Sequence, residues 1–368
     1  MTVLFAAASL AASIAHAWSV AGIRSAPQLQ HRTAAACGVT RYNHPLAATA
    51  SRARTRGIYL LNRLLLEPSE CEVVTADSSA ATGSRLVARL AADDPRTEHV
   101  RAQLKAADGQ TVRAGVLDGG ATDTARLHWE RPADGAGSAG GLRLELGSTS
   151  LLEPVAEEAR PRVDVVLVMP RPLQFARLLP MLSSMGIGTL WITGSRRVEK
   201  NYFSSHLLRP GREAELRTAL VQGLEQSGDT AVPRVVVCRN LPKVLREYVG
   251  AADASSSVPA LKLACHPERL ENEDGAGGGE GSGGEAASAA VPRVRRLREV
   301  LVPEVVGGGR RVVLAIGPER GWEEPEELEL LASLGFDLVT LGPRTLRTDV
   351  ACVALLAVAH DLLDASEP

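Results

Sequence analysis

The chain has 368 residues, 45% of them apolar and 23% charged, with 41 Lys plus Arg against 43 Asp plus Glu. That length points to more than one folding unit, and that balance excludes wholesale disorder, a collagen-like repeat and a multi-span membrane protein. The five cysteines, Cys37, Cys71, Cys238, Cys265 and Cys352, form no CxxC pair, so neither a disulfide framework nor a zinc ribbon is expected and no metal is predicted.

Residues 1–66 contain no Asp or Glu but seven arginines, from Arg24 to Arg63. An Arg-rich, Ser/Ala-rich, acid-free leader has the composition that mitochondrial and chloroplast import requires, so residues 1–55 are expected to be a removable transit leader. A chloroplast or mitochondrial destination follows, the plastid slightly preferred. The uncharged run 1–23, with Ala-His-Ala at 15–17, leaves open a secretory signal ahead of a plastid transit segment. As a membrane anchor it is a poor candidate, because Ala and Ser partition weakly into lipid, and no membrane association is expected. Beyond residue 66, 34 basic side chains face 43 acidic ones. A polyanion site would therefore need segregated charge, as around Arg196, Arg197 and Lys200.

Residues 56–160 read as a small β domain. Strand-like segments at 84–90, 111–117, 122–129 and 142–146 are separated by Gly-rich turns, and 93–109 reads as an amphipathic turn of helix ended by Gly109. From Val163 the pattern alternates. Short apolar runs at 163–169, 189–193, 234–238, 260–264, 311–317 and 336–342 suit strands buried on both faces, and helical periods lie between them, closing with 348–364. Residues 161–368 are thus expected to form a parallel α/β domain. The stretch 271–290, Gly-rich and without periodicity, is expected to be a flexible surface insertion.

Open parallel sheets bind ligands beyond the carboxyl ends of their strands. Here those positions carry Cys265-His266-Pro267, Gly317-Pro318-Glu319-Arg320-Gly321-Trp322 and Gly342-Pro343-Arg344-Thr345-Leu346-Arg347-Thr348. Three such turns could converge on one pocket, with Gly317, Gly321 and Gly342 removing side chains where a flat ligand meets the backbone, although ordinary strand-ending turns would look the same. No GxGxxG follows the first α/β strand and no GxxxxGK[ST] occurs, so a nicotinamide oxidoreductase and a P-loop enzyme are both disfavoured.

The pair GPERGW (317–322) and LGPRTLRTD (341–349) resembles the IGPEGGW and LGxRILRxET signatures of the RsmE-type 16S ribosomal RNA uridine-N3 methyltransferases. The resemblance continues through PRP at 170–172, SRRVEKNYFSSHLL at 195–208, GLEQSGDTAVPRV at 223–235 and KLACHP at 262–267, and more weakly through 93–113. It implies a PUA-like β-barrel domain followed by a SPOUT α/β domain whose C-terminal chain forms a trefoil knot around S-adenosylmethionine. It also implies a homodimer acting on ribosomal RNA or the small ribosomal subunit.

Carried over by position, the cofactor cradle would be Leu263, His266, Ile316, Gly317, Pro318, Glu319, Gly321, Leu341, Gly342 and Leu346. Arg347 would be the catalytic residue, stabilising charge on the uracil carbonyls, or else a salt bridge to Asp349 at the start of the last helix. Arg196, Lys200 and Tyr202, with His99 and Arg101 in the β domain, would contact RNA, although Tyr202 could equally be core. Two departures stand out. Arg320 replaces the second glycine of GPEGG, where a positive φ would add strain, and Asp349-Val350 replaces Glu-Thr. A catalytically weakened RNA-binding or ribosome-assembly protein of the same fold is therefore the alternative expectation.

Overall fold

The computed structural model describes residues 63–74, 84–120, 123–130, 140–147, 149–251, 258–267, 294–307 and 309–365. The expected leader (1–55) and insertion (271–290) lie outside these residues.

The first sheet has six strands: β1 (Leu64–Leu66), β2 (Cys71–Val74), β3 (Arg85–Leu90), β4 (Thr111–Val116), β5 (Asp123–Trp129) and β6 (Leu142–Leu146). Their order is β1-β4-β5-β6-β3-β2, with β1 parallel to β4 and every other pair antiparallel. Period-two alternation builds its core. Leu142, Leu144 and Leu146 are buried, while Arg143 and Glu145 between them stay partly in solvent. The three leucines of β1 are all buried because the strand serves two cores: Leu64 and Leu66 join the first, Leu65 the second.

The segment expected to be helical up to Gly109 stops sooner. Asp94 caps Pro95–Glu98 by accepting from Arg96 N (2.8 Å), a wider turn follows over His99–Leu104, and Lys105 ends it at φ 48°. Residues 106–110 are taken instead by a turn hooked onto β5, where Gly109 N donates to Leu127 O (2.9 Å) and Trp129 N to Asp108 Oδ1 (2.7 Å).

Arg96 joins this turn to the sheet, donating to Glu70 Oε1 (2.6 Å), Asp94 Oδ2 (2.7 Å) and Leu65 O (3.1 Å). The Arg96 hydrogen bonds hold both carboxyls below their ordinary range. Depressed folded-state values mean that this stabilisation is present above the unfolded range near 4 and is lost as pH falls through it. Arg96→Met is expected to cost about 2 kcal/mol at neutral pH, the scale of hydrogen bonds to charged groups. It should also flatten the fall in melting temperature of the natural protein between about pH 5 and pH 3. A pH series of thermal melts of both proteins checks this, and parallel curves would contradict it.

The second sheet has seven parallel strands: β7 (Val163–Val168), β8 (Thr189–Thr193), β9 (Arg234–Cys238), β10 (Leu261–Cys265), β11 (Arg295–Arg296), β12 (Val312–Ile316) and β13 (Asp337–Thr340). Their order is β11-β13-β10-β12-β7-β8-β9. Every residue of β7 is buried; Val163, Val165 and Leu167 face one core and Val166 and Val168 the other, as expected for a strand covered on both faces. Asp164 is only 4% exposed and is held by Arg311, which donates from Nε (2.9 Å) and Nη2 (2.8 Å).

The main helices are α1 (Pro172–Ser184), α2 (Glu213–Ser227), α3 (Glu326–Ser333) and α4 (Thr348–Asp364). Gly223 lets α1 and α2 pack closely, since a Cβ there would lie 2.2 Å from Pro180 O. Gly228, at φ 85°, ends α2 in the left-handed conformation. Asp118 ties the two sheets together: its N donates to Thr230 O (2.8 Å), and its Oδ1 accepts from Val232 N (3.0 Å) and Arg160 Nη2 (3.1 Å). No helix among the described residues is long and apolar enough to cross a membrane.

Candidate active site

The order β13-β10-β12 makes neighbours of three strand ends that are far apart in sequence, with Cys265 paired to Ile316 on one side and Val339 on the other. Their turns converge on one cleft of about 680 Å³, open mouth included. Of the residues assigned to a cofactor cradle, His266, Ile316, Gly317, Pro318, Glu319, Gly321, Leu341 and Leu346 line it. Leu263 does not: it lies in the strand interior, paired with Leu314, its side chain fully buried in the core. Gly342 also falls outside the lining; it turns at φ 146° where a Cβ would lie 2.9 Å from Arg296 Nη1.

The glycines serve different ends. A Cβ on Gly317 would lie 2.9 Å from Trp322 Cε2, so the indole itself requires glycine at this cleft-lining position. Trp322 is 1% exposed and donates from Nε1 to Cys265 O (3.0 Å), tying the 317–322 turn to the end of β10. Gly321 faces open space at φ 74°, so backbone conformation is what demands glycine there.

His266 donates from its backbone N to Val339 O (2.9 Å); its Nδ1 lies 2.7 Å from Pro267 O and its Nε2 3.2 Å from Glu324 Oε1, the tautomer setting which nitrogen donates. Desolvation raises the Cys265 thiol and pushes that of Cys352 up to about 12, so neither supplies a thiolate at neutral pH. Among the described residues no three His, Cys, Asp or Glu side chains gather as a metal site.

Sequence reasoning placed Trp322, Thr345 and Thr348 in the converging turns without a cradle role, and it missed Val339, Thr340, Ala351 and Leu355 as cleft residues. Thr348, Ala351 and Leu355 recur at i, i+3 and i+7 on α4, a face the helical period alone could have indicated.

Arg347 sits just outside the cleft, in a groove it shares with Arg171, Gln174 and Glu319. Arg171 Nε lies 3.1 Å from Glu319 Oε2, and Arg347 Nη2 donates to Asp349 Oδ2 (2.8 Å). Gln174, in the amide orientation that satisfies both neighbours, donates to Glu319 and accepts from Arg347 Nη2 (3.0 Å). Arg171 and Glu319 also border a small pocket with Tyr202, which is half-buried against the core, and Arg197, Glu199 and Arg320 of that pocket border a further groove with Arg196 and Lys200.

Arg320 does not enter the cleft. Its φ is not positive and its side chain is 73% exposed, with Nη2 3.8 Å from Glu199 Oε1. His99 and Arg101 line neither cleft nor groove. Arg101 stacks on Trp129 (5.0 Å to the ring centroid) and donates to Gly140 O (2.6 Å), so its guanidinium is engaged within the first sheet.

A parallel α/β sheet with a ligand cleft at its carboxyl edge, opening onto a groove lined by cations, describes an enzyme that modifies a polyanion. The chain matches the family model of the RNA methyltransferase domain over residues 157–279 and 284–360, and it belongs to that family. Among its relatives, the ribosomal RNA small subunit methyltransferase E of Treponema pallidum (strain Nichols) is 27% identical over 277 residues, 73% of this chain and 84% of that protein.

Solved structures carry the same fold. The ribosomal RNA small subunit methyltransferase E of Neisseria gonorrhoeae, bound to S-adenosyl methionine, superposes with a TM-score of 0.50 at 19% identity, covering 82% of this chain and 97% of that one. A probable rRNA-methyltransferase of Porphyromonas gingivalis gives 0.50 at 18% identity, covering 75% and 95%.

Proposed function

We propose that this chain methylates N3 of a uridine in small-subunit ribosomal RNA of an organelle, with S-adenosylmethionine as methyl donor. The observation that carries the reading is the meeting of three strand-end turns in one cleft that opens directly onto Glu319, Arg347 and a basic groove. The cleft suits the donor. Ile316, Val339, Leu341, Leu346 and Leu355 offer apolar walls to an adenine, and Glu319 places a carboxylate at the rim for a cationic sulfonium. When bound, the cofactor supplies an electrophilic methyl group.

The chain's own residues orient the acceptor and balance its charge. Uracil N3 loses its proton to solvent as it is methylated, and the guanidinium of Arg347, aimed by Asp349 and Gln174, stabilises the charge that develops on the flanking carbonyl oxygens. Arg196, Lys200 and Tyr202 hold the RNA strand along the groove. The outward course of Arg320 leaves the cleft free, which favours the enzyme over a cofactor-less binding protein.

The first sheet is read as the PUA-like RNA-binding domain (56–160). The position of β13 between β11 and β10 supports a knotted C-terminal chain in the SPOUT domain (161–368). On α4, Val350 is exposed and Val353, Ala354 and Val358 are only half-buried, an apolar strip suited to a second copy of the chain. The acid-free leader supports import into chloroplast or mitochondrion.

Mass mapping of organellar ribosomal RNA with and without the protein tests the reading. One N3-methyluridine should vanish from the small-subunit RNA on deletion, and an unchanged map would refute it.

A further inference from the structure

The position of Arg320 within the 317–322 turn suggests a cofactor contact, but its side chain lies elsewhere. It projects into the groove formed by the 196–201 loop, which Arg196, Arg197, Lys200 and Arg320 line together with Glu199, while Glu323 and Glu326 pair with two of these cations from beside it. Arg197 fixes that loop to the turn, donating from Nη1 to Arg320 O (3.0 Å) and lying 3.3 Å from Glu323 Oε2. Arg196 is drawn toward Glu326 at 3.7 Å. Lys200 is exposed and has no ion pair among the described residues. The Arg320–Glu199 contact, long at 3.8 Å and solvent-exposed on both sides, restrains the guanidinium weakly. The groove also lies beside the cleft: Arg197, Glu199 and Arg320 border a small pocket with Pro318 and Glu319, and these two line the cleft.

We propose that Arg320 is a substrate-side residue which, with Lys200 and Arg197, seats a phosphodiester of the RNA beside the nucleotide being methylated. This rests on the RNA methyltransferase reading above. A guanidinium offers a planar pair of donors to two phosphate oxygens, and a phosphate arriving in the groove would displace the loosely held Glu199 carboxylate. In a protein whose charge beyond residue 66 is net acidic, cations segregated next to the cleft also steer a polyanion to the right edge of the sheet. Arginine at this position then adds affinity for RNA at no cost to the cofactor.

The test uses a fluorescein-labelled single-stranded oligouridylate, with anisotropy titrations across a salt series, and calorimetry with S-adenosylmethionine. Arg320→Gly is expected to weaken RNA binding about threefold to tenfold near 0.1 M salt and to reduce the log–log salt slope by about 0.7, one phosphate contact on a single strand. Cofactor affinity should stay within about twofold of the natural protein, since the side chain lies outside the cleft. Glu199→Gln should act in the opposite sense and tighten RNA binding. An unchanged slope and affinity in Arg320→Gly would overturn the proposal, as would a loss confined to cofactor binding, which would return Arg320 to the cleft. If the natural protein itself binds neither oligouridylate nor cofactor, the methyltransferase reading falls first and this inference with it.

Discussion

Arg347→Ala is expected to lower the single-turnover methylation rate by about 100-fold, the usual loss when one donor to a developing oxyanion is removed. Cofactor affinity and melting temperature should stay close to those of the natural protein. The guanidinium is 69% exposed and lies outside the cleft wall, so neither the core nor the cradle depends on it. The bland role for this residue, starting α4, is carried by its backbone: Arg347 O accepts from Ala351 N (2.8 Å), a bond that alanine keeps. The other bland role is the exposed pair with Asp349, and such pairs contribute little. Stability and rate thus separate the readings. Arg347→Lys should recover part of the rate, because charge is restored without the planar fork. Asp349→Asn, which loosens the aim of Arg347 but leaves its charge, should cost less than Arg347→Ala. A rate within threefold of the natural protein for Arg347→Ala would leave the residue as a helix start only.

Six of the seven strands of the second sheet were legible because each is an apolar run too short to be a helix, and α4 falls at 348–364 as its period indicates; β11, two arginines at the sheet edge, carries no such run and was not foreseen. The strand ends were legible as chemistry because Gly, Pro and polar residues follow directly where an open sheet binds ligands. What a local pattern cannot carry is which strands adjoin. The insertion of β13 between β10 and β11 is what brings residue 341 to residues 266 and 317, and nothing in the runs themselves encodes it. Long-range polar pairs are hidden in the same way. Asp164 breaks an apolar run, and its partner Arg311 stands 147 positions away. Side-chain direction was the other blind spot. Arg320 and Arg101 have roles set by neighbours distant in sequence, the Glu199 loop and the Trp129 ring, and Gly317 has one set by how its own turn folds the Trp322 ring back onto it.

Gly317→Ala is the sharpest test of that last point. The added Cβ would lie 2.9 Å from Trp322 Cε2, 3.1 Å from Nε1 and 3.2 Å from Cδ2. The indole has little room to retreat, being 1% exposed and bonded through Nε1 to Cys265 O at 3.0 Å. Overpacking of this kind costs about 3 kcal/mol at the upper end of its usual range. Because Gly317, Trp322 and Cys265 all border the cleft, the strain is delivered to the cradle, and affinity for S-adenosylmethionine should fall at least about tenfold. Gly321→Ala has no clash to relieve and pays only for its left-handed φ of 74°, so its cost should be nearer 1 kcal/mol. The decisive comparison is Gly317→Ala combined with Trp322→Leu. If the indole is what requires glycine, the smaller side chain removes the clash, and the double variant should be more stable than the sum of the two single losses implies. Urea midpoints for the four proteins measure the coupling. Strict additivity would mean that glycine is kept at 317 for the ligand, as its sequence position suggested, and that the contact with Trp322 is incidental.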